Sequence, residues 1–520
     1  MIPKFAIEAY LEEPRDDHRW IKKLTHDHLD KALSQLNPPP KPYKDLRLHQ
    51  KASLYLGIAY PQFAFYIDMG GGKTLVSLEL LKYWWGIGRL KRALIFVKSD
   101  KAFPTWEKQI KQYNIGIPFT TLEDSSERKW RTLESFGNGL ILVAYPGVTR
   151  MVTEVVKKKN KNKLVIDPNK VQRLANNVQA IVMDESTCVG HHGSLAYKLC
   201  EELKETINIR YALAGRPFGR DPLMLWAQQF IIDGGESLGE TLGLFRAAFY
   251  SEEPHPWTDN EHIKSYSFDK RTMPSLMRLA HHRSISYGES ECGDLPKLVP
   301  MVETIRLPEE AKAYYKRVVD GIISARGNLQ EMKNAFMRMR QLSSGFLGFR
   351  DEESGERAEI AFEENPKLDR LLELLDDLPR GRKALVFYDF TFSGRRIHEA
   401  LKARKQSSIW IWSGTKNYKQ ELAKFQEDPN CEVAVLNNRI GAYSLDGLQV
   451  ANYVMFYESP VSVIDREQAE RRARRSGQTR RVFQYDLVVQ GTLDQKILDY
   501  HSEGASLLEA LRANPEDVLK

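Results

Sequence analysis

Short apolar runs alternate with helical patterns along two stretches of the chain, residues 41–235 and 366–500. Runs of about four to eight apolar residues predict buried strands, and apolar residues three and four apart predict the helices between them. This alternation is typical of parallel sheets covered by helices on both faces. The fold class is therefore α/β, with two doubly wound parallel-sheet lobes. The predicted strands lie at 63–69, 93–97, 139–145, 180–183 and 211–217, and at 384–390, 408–412, 433–436, 453–457 and 482–489.

The remaining segments lack this alternation. Residues 1–40 predict a small helical N-terminal lead-in, which ends in the stiff break Asn37-Pro38-Pro39-Pro40. Residues 236–365 predict helical insertions followed by a polar linker over 346–364. Residues 501–520 predict a C-terminal helix or tail. We therefore expect two lobes joined by a helical insertion and linker region.

Length and composition agree with a globular protein of two domains. A chain of 520 residues is longer than one hydrophobic core supports. No window approaches about 18 consecutive apolar residues, and the N-terminus lacks the apolar region of a secretory signal. We therefore expect no membrane partner and a cytoplasmic location. The four cysteines form no C-x-x-C pair, which argues against a zinc site or a disulfide framework. The net charge of +7 permits a polyanionic partner without demanding one.

A glycine-rich turn follows the first predicted strand, and a helix is predicted to begin directly after it. Glycines let backbone N–H groups approach an anion closely, and a helix N-terminus attracts negative charge. A lysine here adds positive charge at the outer phosphates of a nucleotide, and a threonine hydroxyl binds Mg²⁺. The longer G-x-x-x-x-G-K-[ST] pattern is not met, since Ile67 occupies its first glycine position, so a chance glycine turn is the alternative. The phosphate-binding candidates are Gly70, Gly71, Gly72, Lys73 and Thr74.

An acidic pair follows the fourth predicted strand. Asp184 and Glu185 come about 110 residues after the Gly-Lys-Thr loop. The carboxyl ends of parallel strands face the crevice in which ligands bind. Asp184 would hold Mg²⁺ directly or through water, and Glu185 would polarise the attacking water as a general base. A strand-terminal Asp-Glu pair is common by itself, but its place in the alternating pattern favours catalysis.

Gln50 and the basic run 157–163 each have both a functional interpretation and one as an ordinary surface feature. The amide of Gln50 can donate and accept at once, which suits the edge of an adenine; the alternative is an exposed helical glutamine. The basic run 157–163 is either a solvated surface loop or a phosphate-contacting loop, and the solvated loop is favoured.

The segment 465–478 is rich in arginine, and we expect it to form a helix. Several of its arginines are explained by a solvent-exposed face of this helix. Guanidinium groups also bind phosphate oxygens bidentately, so that arginines of the second lobe could complete a nucleotide site of the first. Hydrolysis would then depend on closure of the two lobes. The arginines are Arg466, Arg471, Arg472, Arg474 and Arg475.

Taken in order, these motifs resemble those of superfamily 2 helicase-type motors, and within that class the SWI/SNF-type ATPase branch of DNA translocases. The resemblance covers about residues 45–500 and implies two RecA-like lobes, with ATP and Mg²⁺ as cofactors. The motifs that carry it are LRLHQ (46–50), DMGGGKT (68–74), MDEST (183–187), ALAGRPFGRDPLMLW (212–226), ALVFYDFT (384–391) and QAERRARRSGQ (468–478).

The resemblance implies a role for each matched residue. Gln50 would contact adenine, and Lys73 and Thr74 would bind phosphate and Mg²⁺. Asp184 and Glu185 would form the metal and base pair. Arg475 would be the arginine finger, with Arg472 beside it. The glycine-rich strand-end motif of the second lobe adds two nucleotide-binding candidates, Gly441 and Asp446.

The chain departs from the family pattern at three places. Ser186-Thr187 follows the acidic pair, where a box of the type Asp-Glu-x-His is usual. The turn 214–217 reads Ala-Gly-Arg-Pro instead of Thr-Gly-Thr-Pro, which puts coupling of the lobes through this turn in doubt. Asp446 stands near where an asparagine is usual. The flanks are short, as in minimal motors carried by bacteria or their phages.

We expect a monomeric, ATP-dependent translocase on double-stranded DNA, in the cytoplasm of a bacterium or of a phage-infected host. Single-stranded DNA and RNA stay open as partners. One alternative is a strand-separating DNA or RNA helicase of the same superfamily, and another is a binding or annealing protein with a weakened ATPase. Candidate phosphate contacts are Lys98, Ser99, Tyr145 and Arg150 on the first lobe, and Thr391 and Ser413 on the second.

Overall fold

The computed structural model describes residues 4–43, 46–68, 70–158, 161–218, 221–254, 264–293, 296–324, 329–350, 357–439, 445, 447–475 and 478–502. The chain divides into two compact units, residues 1–294 and 295–520. Each unit is built around its own parallel sheet.

The first unit has a seven-stranded sheet in the order β11-β1-β8-β7-β2-β4-β3, in which all neighbouring strands are parallel. Two antiparallel hairpins, β5–β6 and β9–β10, stand apart from it. Its strands are β1 (Gln62–Ile67), β2 (Arg92–Val97), β3 (Phe119–Leu122), β4 (Gly139–Ala144), β5 (Thr153–Lys158), β6 (Lys161–Ile166), β7 (Ala180–Asp184), β8 (Ile209–Ala214), β9 (Tyr250–Pro254), β10 (Lys264–Phe268) and β11 (Ser284–Tyr287).

Helices cover both faces of this sheet. Successive residues of a strand point to opposite faces, so Ala64 and Tyr66 enter one apolar cluster while Phe63 and Phe65 enter the other. The helices of the unit are α1 (Lys4–Glu12), α2 (His26–Ser34), α3 (Leu48–Ala59), α4 (Lys73–Gly86), α5 (Phe103–Gln112), α6 (Ser126–Ser135), α7 (Tyr145–Val152), α8 (Pro168–Ala175), α9 (Leu195–Lys204), α10 (Leu223–Asp233), α11 (Leu242–Phe249), α12 (Met273–Ala280) and α13 (Glu289–Cys292).

The second unit has a six-stranded parallel sheet in the order β12-β19-β18-β15-β17-β16, with clusters of buried apolar residues on its two faces. Its strands are β12 (Leu298–Ile305), β13 (Phe346–Arg350), β14 (Arg357–Ala361), β15 (Ala384–Tyr388), β16 (Ser408–Ile411), β17 (Val433–Asn437), β18 (Tyr453–Phe456) and β19 (Val482–Val489). Its helices are α14 (Glu309–Ser324), α15 (Leu329–Ser343), α16 (Pro366–Asp376), α17 (Thr391–Ala403), α18 (Tyr418–Glu427), α19 (Val463–Glu470) and α20 (Leu493–Ser502).

These two sheets confirm the prediction of two doubly wound α/β lobes. The segments that were predicted to lie outside the sheets differ from the prediction. Residues 236–365 are not a separate helical region, because β11 pairs with β1 and β12 pairs with β19. Both are edge strands, and β12 contains Pro300, which an edge strand tolerates and which weakens a strand signal in the sequence.

Three further local predictions also change. The N-terminal lead-in packs into the first unit, where Ile21, Leu29 and Leu33 are buried in an apolar cluster. The predicted linker 346–364 contains an antiparallel hairpin, in which β13 pairs with β14. Of the basic run 157–163, residues 157–158 and 161–163 lie on the paired strands β5 and β6 instead of in an irregular loop.

Candidate nucleotide-binding site

The glycine turn links the end of β1 to the start of α4. Gly70 and Gly72 have left-handed backbone angles, with φ of 82° and 86°. The N–H of Gly71 donates to the carbonyl of Asp68 at 3.0 Å, and helix α4 begins at Lys73. A helix N-terminus directly after a left-handed glycine turn presents unpaired N–H groups, which is a favourable environment for a phosphate.

The glycines are required by close neighbours as well as by backbone angles. A Cβ on Gly72 would lie 2.2 Å from the side-chain nitrogen of Gln50. A Cβ on Gly71 would lie 2.4 Å from Ile67 and 2.8 Å from the sulfur of Cys292. A side chain at either position would require Gln50, Ile67 or Cys292 to move, and the left-handed backbone of Gly72 disfavours any other residue there.

Gln50 is buried against this turn. Its side-chain nitrogen donates to the carbonyl of Gly71 at 2.9 Å, and its side-chain oxygen accepts from the N–H of Arg47 at 2.9 Å. The ring of His49 contacts the same Gly71 carbonyl at 2.7 Å. The interpretation of Gln50 as an exposed helical residue is therefore wrong, while its contact with adenine stays a prediction.

The acidic pair lies at the carboxyl end of β7, which is separated from β1 by β8 alone. Glu185 has a left-handed backbone, with φ of 51°, and its N–H donates to Asp184 at 3.1 Å. Burial and then the charge of Glu185 raise the pKa of Asp184 to about 6, while the nearby ammonium of Lys73 opposes this rise. The lysine of the glycine turn and the carboxylate of the acidic pair therefore act on each other electrostatically.

Trp106 of helix α5 is a site residue that the sequence did not reveal. Its indole N–H donates to Asp184 at 2.9 Å, and this bond favours the charged carboxylate. Trp106 is 2% exposed, so packing fixes the position of the donor. The only signal in the sequence is an apolar position on a predicted helix, which does not distinguish a hydrogen-bonding tryptophan from a core residue.

A second unforeseen side chain ties the acidic pair to the turn 214–217. The hydroxyl of Ser186 donates to Gln228 of helix α10 at 2.6 Å. The amide of Gln228 donates in turn to the carbonyls of Pro217 at 2.7 Å and Met224 at 2.9 Å. Ser186 and Gln228 are both fully buried. Two of the three places at which the chain departs from the family pattern are thus joined by one amide.

The arginine-rich segment of the second unit is only partly helical. Helix α19 ends at Glu470, so the predicted helix over 465–478 is too long, and the arginines 471–475 lie in turns. Arg466 forms ion pairs with Asp486 and Glu470, which gives it a structural role. Arg472 is buried and donates to the carbonyl of Leu445 at 2.9 Å.

Three arginines of this segment, Arg471, Arg474 and Arg475, are half-buried in the turns. Arg474 donates to the carbonyl of Pro296 at 2.6 Å. The side chain of Arg475 is also half-buried, and its own carbonyl accepts from the N–H of Gln478 at 3.0 Å. The side chain of Gln478 donates to the carbonyls of Gln449 and Ala451, which anchors the segment to the residues that precede β18. The candidates Gly441 and Asp446 lie outside the described residues.

The candidate DNA contacts differ in their exposure. Tyr145 is 4% exposed and packs in an apolar cluster, so it is a core residue and not a surface contact. Lys98 and Ser99 are half-buried, and Arg150, Thr391 and Ser413 are exposed. Except for Arg150, these candidates follow the carboxyl ends of parallel strands, the side of such sheets at which ligands bind.

Among the described residues, no helix combines the length and the hydrophobicity needed to cross a membrane. In the same part of the chain, no cluster of three or more His, Cys, Asp or Glu side chains is placed to hold a metal ion. A Mg²⁺ site with few protein ligands, completed by water and substrate phosphates, remains compatible with Thr74 and Asp184.

A glycine turn at a helix N-terminus, with a lysine that acts on a strand-terminal carboxylate, is the arrangement of nucleoside triphosphate sites in α/β proteins. Comparison with known proteins narrows this class, although no protein-family model matches the chain. An uncharacterised ATP-dependent helicase of Mycoplasma genitalium is 20% identical over 454 residues, which cover 85% of this chain and 39% of that protein. The chromatin-remodelling ATPase INO80 of Candida albicans is 30% identical over 154 residues, which cover 29% of this chain and 11% of that protein.

Among solved structures, the Sulfolobus solfataricus SWI2/SNF2 ATPase core in complex with dsDNA aligns with 20% identity and a TM-score of 0.40. The alignment covers 90% of this chain and 93% of that one. The chain spans about two fifths of the mycoplasma helicase and about a tenth of the remodelling ATPase. The sequence matches confirm the resemblance of this chain to the SWI/SNF-type ATPases of helicase superfamily 2.

Proposed function

We propose that this chain is an ATP-hydrolysing motor that acts on double-stranded DNA. The observation that supports the proposal most is the glycine turn at the start of α4 together with the acidic pair at the carboxyl end of β7, a strand that is separated from β1 by β8 alone. The charge of Lys73 also lowers the pKa of Asp184 against the larger effects of burial and Glu185. The names of the sequence relatives, an ATP-dependent helicase and chromatin-remodelling ATPases, support the same activity. A DNA duplex as the substrate rests on the family resemblance.

In this proposal the first unit binds the nucleotide and activates the water. The backbone of Gly70–Gly72 and the ammonium of Lys73 bind the phosphates. Thr74 and Asp184 would hold Mg²⁺, which neutralises charge that develops on the transferred phosphoryl group. Both carboxylate oxygens of Asp184 accept hydrogen bonds, from Trp106 and from the N–H of Glu185, so this ligand is held in place. Glu185 orients and polarises the attacking water.

We further propose that the second unit contributes to hydrolysis. Arg475 would stabilise the transition state as an arginine finger. Arg472, which is bonded to the carbonyl of Leu445, would orient the segment that precedes the candidate Asp446. Gln50 would contact the adenine through the amide that now bonds to Gly71.

The experiment is ATP turnover by the full chain with duplex DNA, single-stranded DNA or RNA, over a range of salt concentrations. We expect duplex DNA to stimulate turnover most, and binding to weaken as salt rises because counterions are released from the DNA. The Glu185→Gln variant should bind ATP normally and lose turnover by about 10²-fold or more, since it keeps the shape and removes the base. Equal turnover with and without DNA would contradict the proposal.

Strand separation is the second candidate function, because a relative whose match covers 85% of this chain is named an ATP-dependent helicase. The two functions differ in product. A translocase displaces a third strand from a triplex without opening the duplex beneath it, whereas a helicase releases one strand of a partial duplex. We expect triplex displacement that requires ATP and is absent in the Lys73→Ala variant. Binding or annealing that Lys73→Ala leaves unchanged would favour a protein with a weakened ATPase.

A further inference from the structure

The second unit has a pocket of about 570 Å³ between the end of α17, the strand β16 and helix α18. The residues that line it lie between 398 and 424, outside the phosphate loop, the acidic pair and the arginine-rich segment. Nothing in the proposed ATPase cycle uses it. Its walls combine aromatic rings with lysines, which is a different chemistry from that of the nucleotide site.

Three rings form a row along one wall. His398 stacks on Trp410, with ring centroids 5.9 Å apart and planes 30° apart. Trp410 stacks on Trp412 at 5.7 Å and 19°. The row is fixed by hydrogen bonds, because the indole N–H of Trp410 donates to Tyr388 at 2.7 Å and His398 contacts the hydroxyl of Ser408 at 3.1 Å. All three rings are only half-buried, so the aligned row remains accessible.

The charges around the rings are mainly positive. Lys402, Lys405 and Lys424 line the pocket together with one carboxylate, Glu421. All three lysines are exposed. Burial, followed by the charge of Lys402, lowers the pKa of His398, so this ring is neutral near pH 7 and stacks as an uncharged aromatic.

Lys405 occupies an unusual backbone position. Its φ is 59°, in the left-handed region, at the turn that ends α17. The N–H of Lys405 donates to Lys402, and the N–H of Gln406 donates to Leu401, which is the bonding pattern of a helix end that normally carries glycine. The chain therefore places a lysine at the pocket where glycine would be free of strain. A strained residue of this kind is a reason to look for a function.

A plainer explanation accounts for only part of this arrangement. Strand β16 is at the edge of the sheet, and lysines near an edge strand prevent it from pairing with another chain. This explains positive charge beside the strand. It does not explain three aligned, half-exposed rings in a concave pocket, since exposed aromatic rings make an edge more prone to association.

We propose that this pocket binds a nucleotide unit of a single nucleic-acid strand, with the base on the aromatic row and the phosphates at the lysines. Aromatic rings next to cations are the general means of binding single strands, because every base has a flat face and every phosphate a negative charge. The inference goes beyond the proposed motor, which needs only the duplex backbone. It gives the second unit a contact for an unpaired strand.

Photocrosslinking of the full chain without ATP tests the contact directly. The probe is a 12-residue oligothymidylate with one 5-iodouracil, and the products are mapped by peptide mass spectrometry. We expect the crosslink on the peptide that contains Trp410 and Trp412, and we expect thymidine monophosphate at the same concentration of nucleotide units to leave it in place. Crosslinks confined to other peptides would overturn the proposal. Competition by the mononucleotide at equal concentration of nucleotide units would show a site for free nucleotides and would also overturn it.

Affinity measurements on variants separate binding from folding. Lys405→Gly removes the charge and the strain together, so its Tm should stay within about 2 °C of the parent. We expect it to weaken binding of the labelled oligothymidylate at least threefold, and Trp412→Leu to weaken it at least fivefold. The control is Lys316→Ala, which removes an exposed lysine of α14 outside the pocket. An unchanged affinity of Lys405→Gly for the oligothymidylate, or an equal loss of affinity in Lys316→Ala, would refute the proposal that the pocket binds a nucleic-acid strand.

Discussion

At the scale of single residues, the protonation of Asp184 would control Mg²⁺ binding in the proposed motor. Its pKa of about 6 lies above the usual value because the side chain is buried and Glu185 repels its charge. Only the ionised carboxylate binds Mg²⁺ well, and it is present above this pKa. The pH dependence of kcat/KM for Mg·ATP, which reports groups of the free enzyme, should therefore fall off below about pH 6.

Replacement of Trp106 by phenylalanine should move this fall in kcat/KM, the acid limb of the pH profile, toward neutral pH. The indole N–H stabilises the charged carboxylate, so its loss raises the pKa of Asp184 further. A hydrogen bond to a charged group contributes about 1.5–3 kcal/mol, which corresponds to a displacement of roughly one to two pH units. The measurement is kcat/KM between pH 5 and 8 (roughly the range in which a carboxyl with such a pKa titrates).

The control for this prediction is Trp84→Phe. Trp84 also donates its indole N–H within the first unit, but to the neutral hydroxyl of Tyr211 at 2.7 Å. Its replacement removes a comparable hydrogen bond and should leave the acid limb in place. An acid limb that moves equally in both variants would mean that general loosening of the unit, and not the bond to Asp184, sets the pH dependence.

At the scale of elements, Gln228 of α10 couples the acidic pair to the turn 214–217. Its amide has three partners, the hydroxyl of Ser186 and the carbonyls of Pro217 and Met224. Gln228→Leu keeps the approximate volume but removes these three hydrogen bonds. We expect DNA-stimulated turnover to fall about tenfold while ATP affinity stays unchanged, since a misplaced reacting group costs rate more than binding.

A matched control lies one residue further along α10. Gln229 is also fully buried, and its amide donates to the hydroxyl of Tyr66 at 3.2 Å. Gln229→Leu should lower Tm about as much as Gln228→Leu but preserve turnover. A double-mutant cycle of Ser186→Ala with Gln228→Leu should be strongly non-additive. Equal losses of turnover at both glutamines, or an additive cycle, would reduce Gln228 to a purely structural residue.

The elements also explain how far the sequence predicts this protein. The central strands were predictable because β1, β2, β4 and β7 are buried apolar runs next to clear turn residues. The edge strand β12 was not, since Pro300 and a half-exposed pattern hide it. Arginine content alone predicted too long a helix after residue 465, because nothing local marks its end at Glu470.

The candidate site also has residues that the sequence predicts and residues that it does not. The glycine turn and the acidic pair are local patterns with a direct chemical meaning, so they could be read from the sequence. Trp106 and Gln228 act on residues 78 and 42 positions away, and both occupy positions that also suit ordinary core residues. Their hydrogen bonds depend on which helices pack beside β7, and a single sequence contains no information on that packing beyond apolar periodicity.

At the scale of the whole molecule, the two units have separate apolar cores and separate sets of candidate functional residues. The phosphate loop and the acidic pair belong to residues 1–294, and the arginine-rich segment belongs to residues 295–520. If the proposed motor is correct, nucleotide binding is a property of the first unit, and hydrolysis requires both. A substitution in the second unit can therefore separate the two steps in the intact chain.

Arg475→Lys is the sharpest test of this division. Lysine keeps the positive charge but lacks the planar fork that binds phosphoryl oxygens, so turnover should fall by about 10³-fold while ATP affinity stays within about twofold. The neighbouring Arg474→Lys is the control, because Arg474 donates to the carbonyl of Pro296 and a lysine can replace that bond. Fluorescent-nucleotide binding and steady-state turnover are measured on both variants. Comparable turnover in the two would mean that the guanidinium of Arg475 does not act on the nucleotide and that the first unit hydrolyses ATP without it.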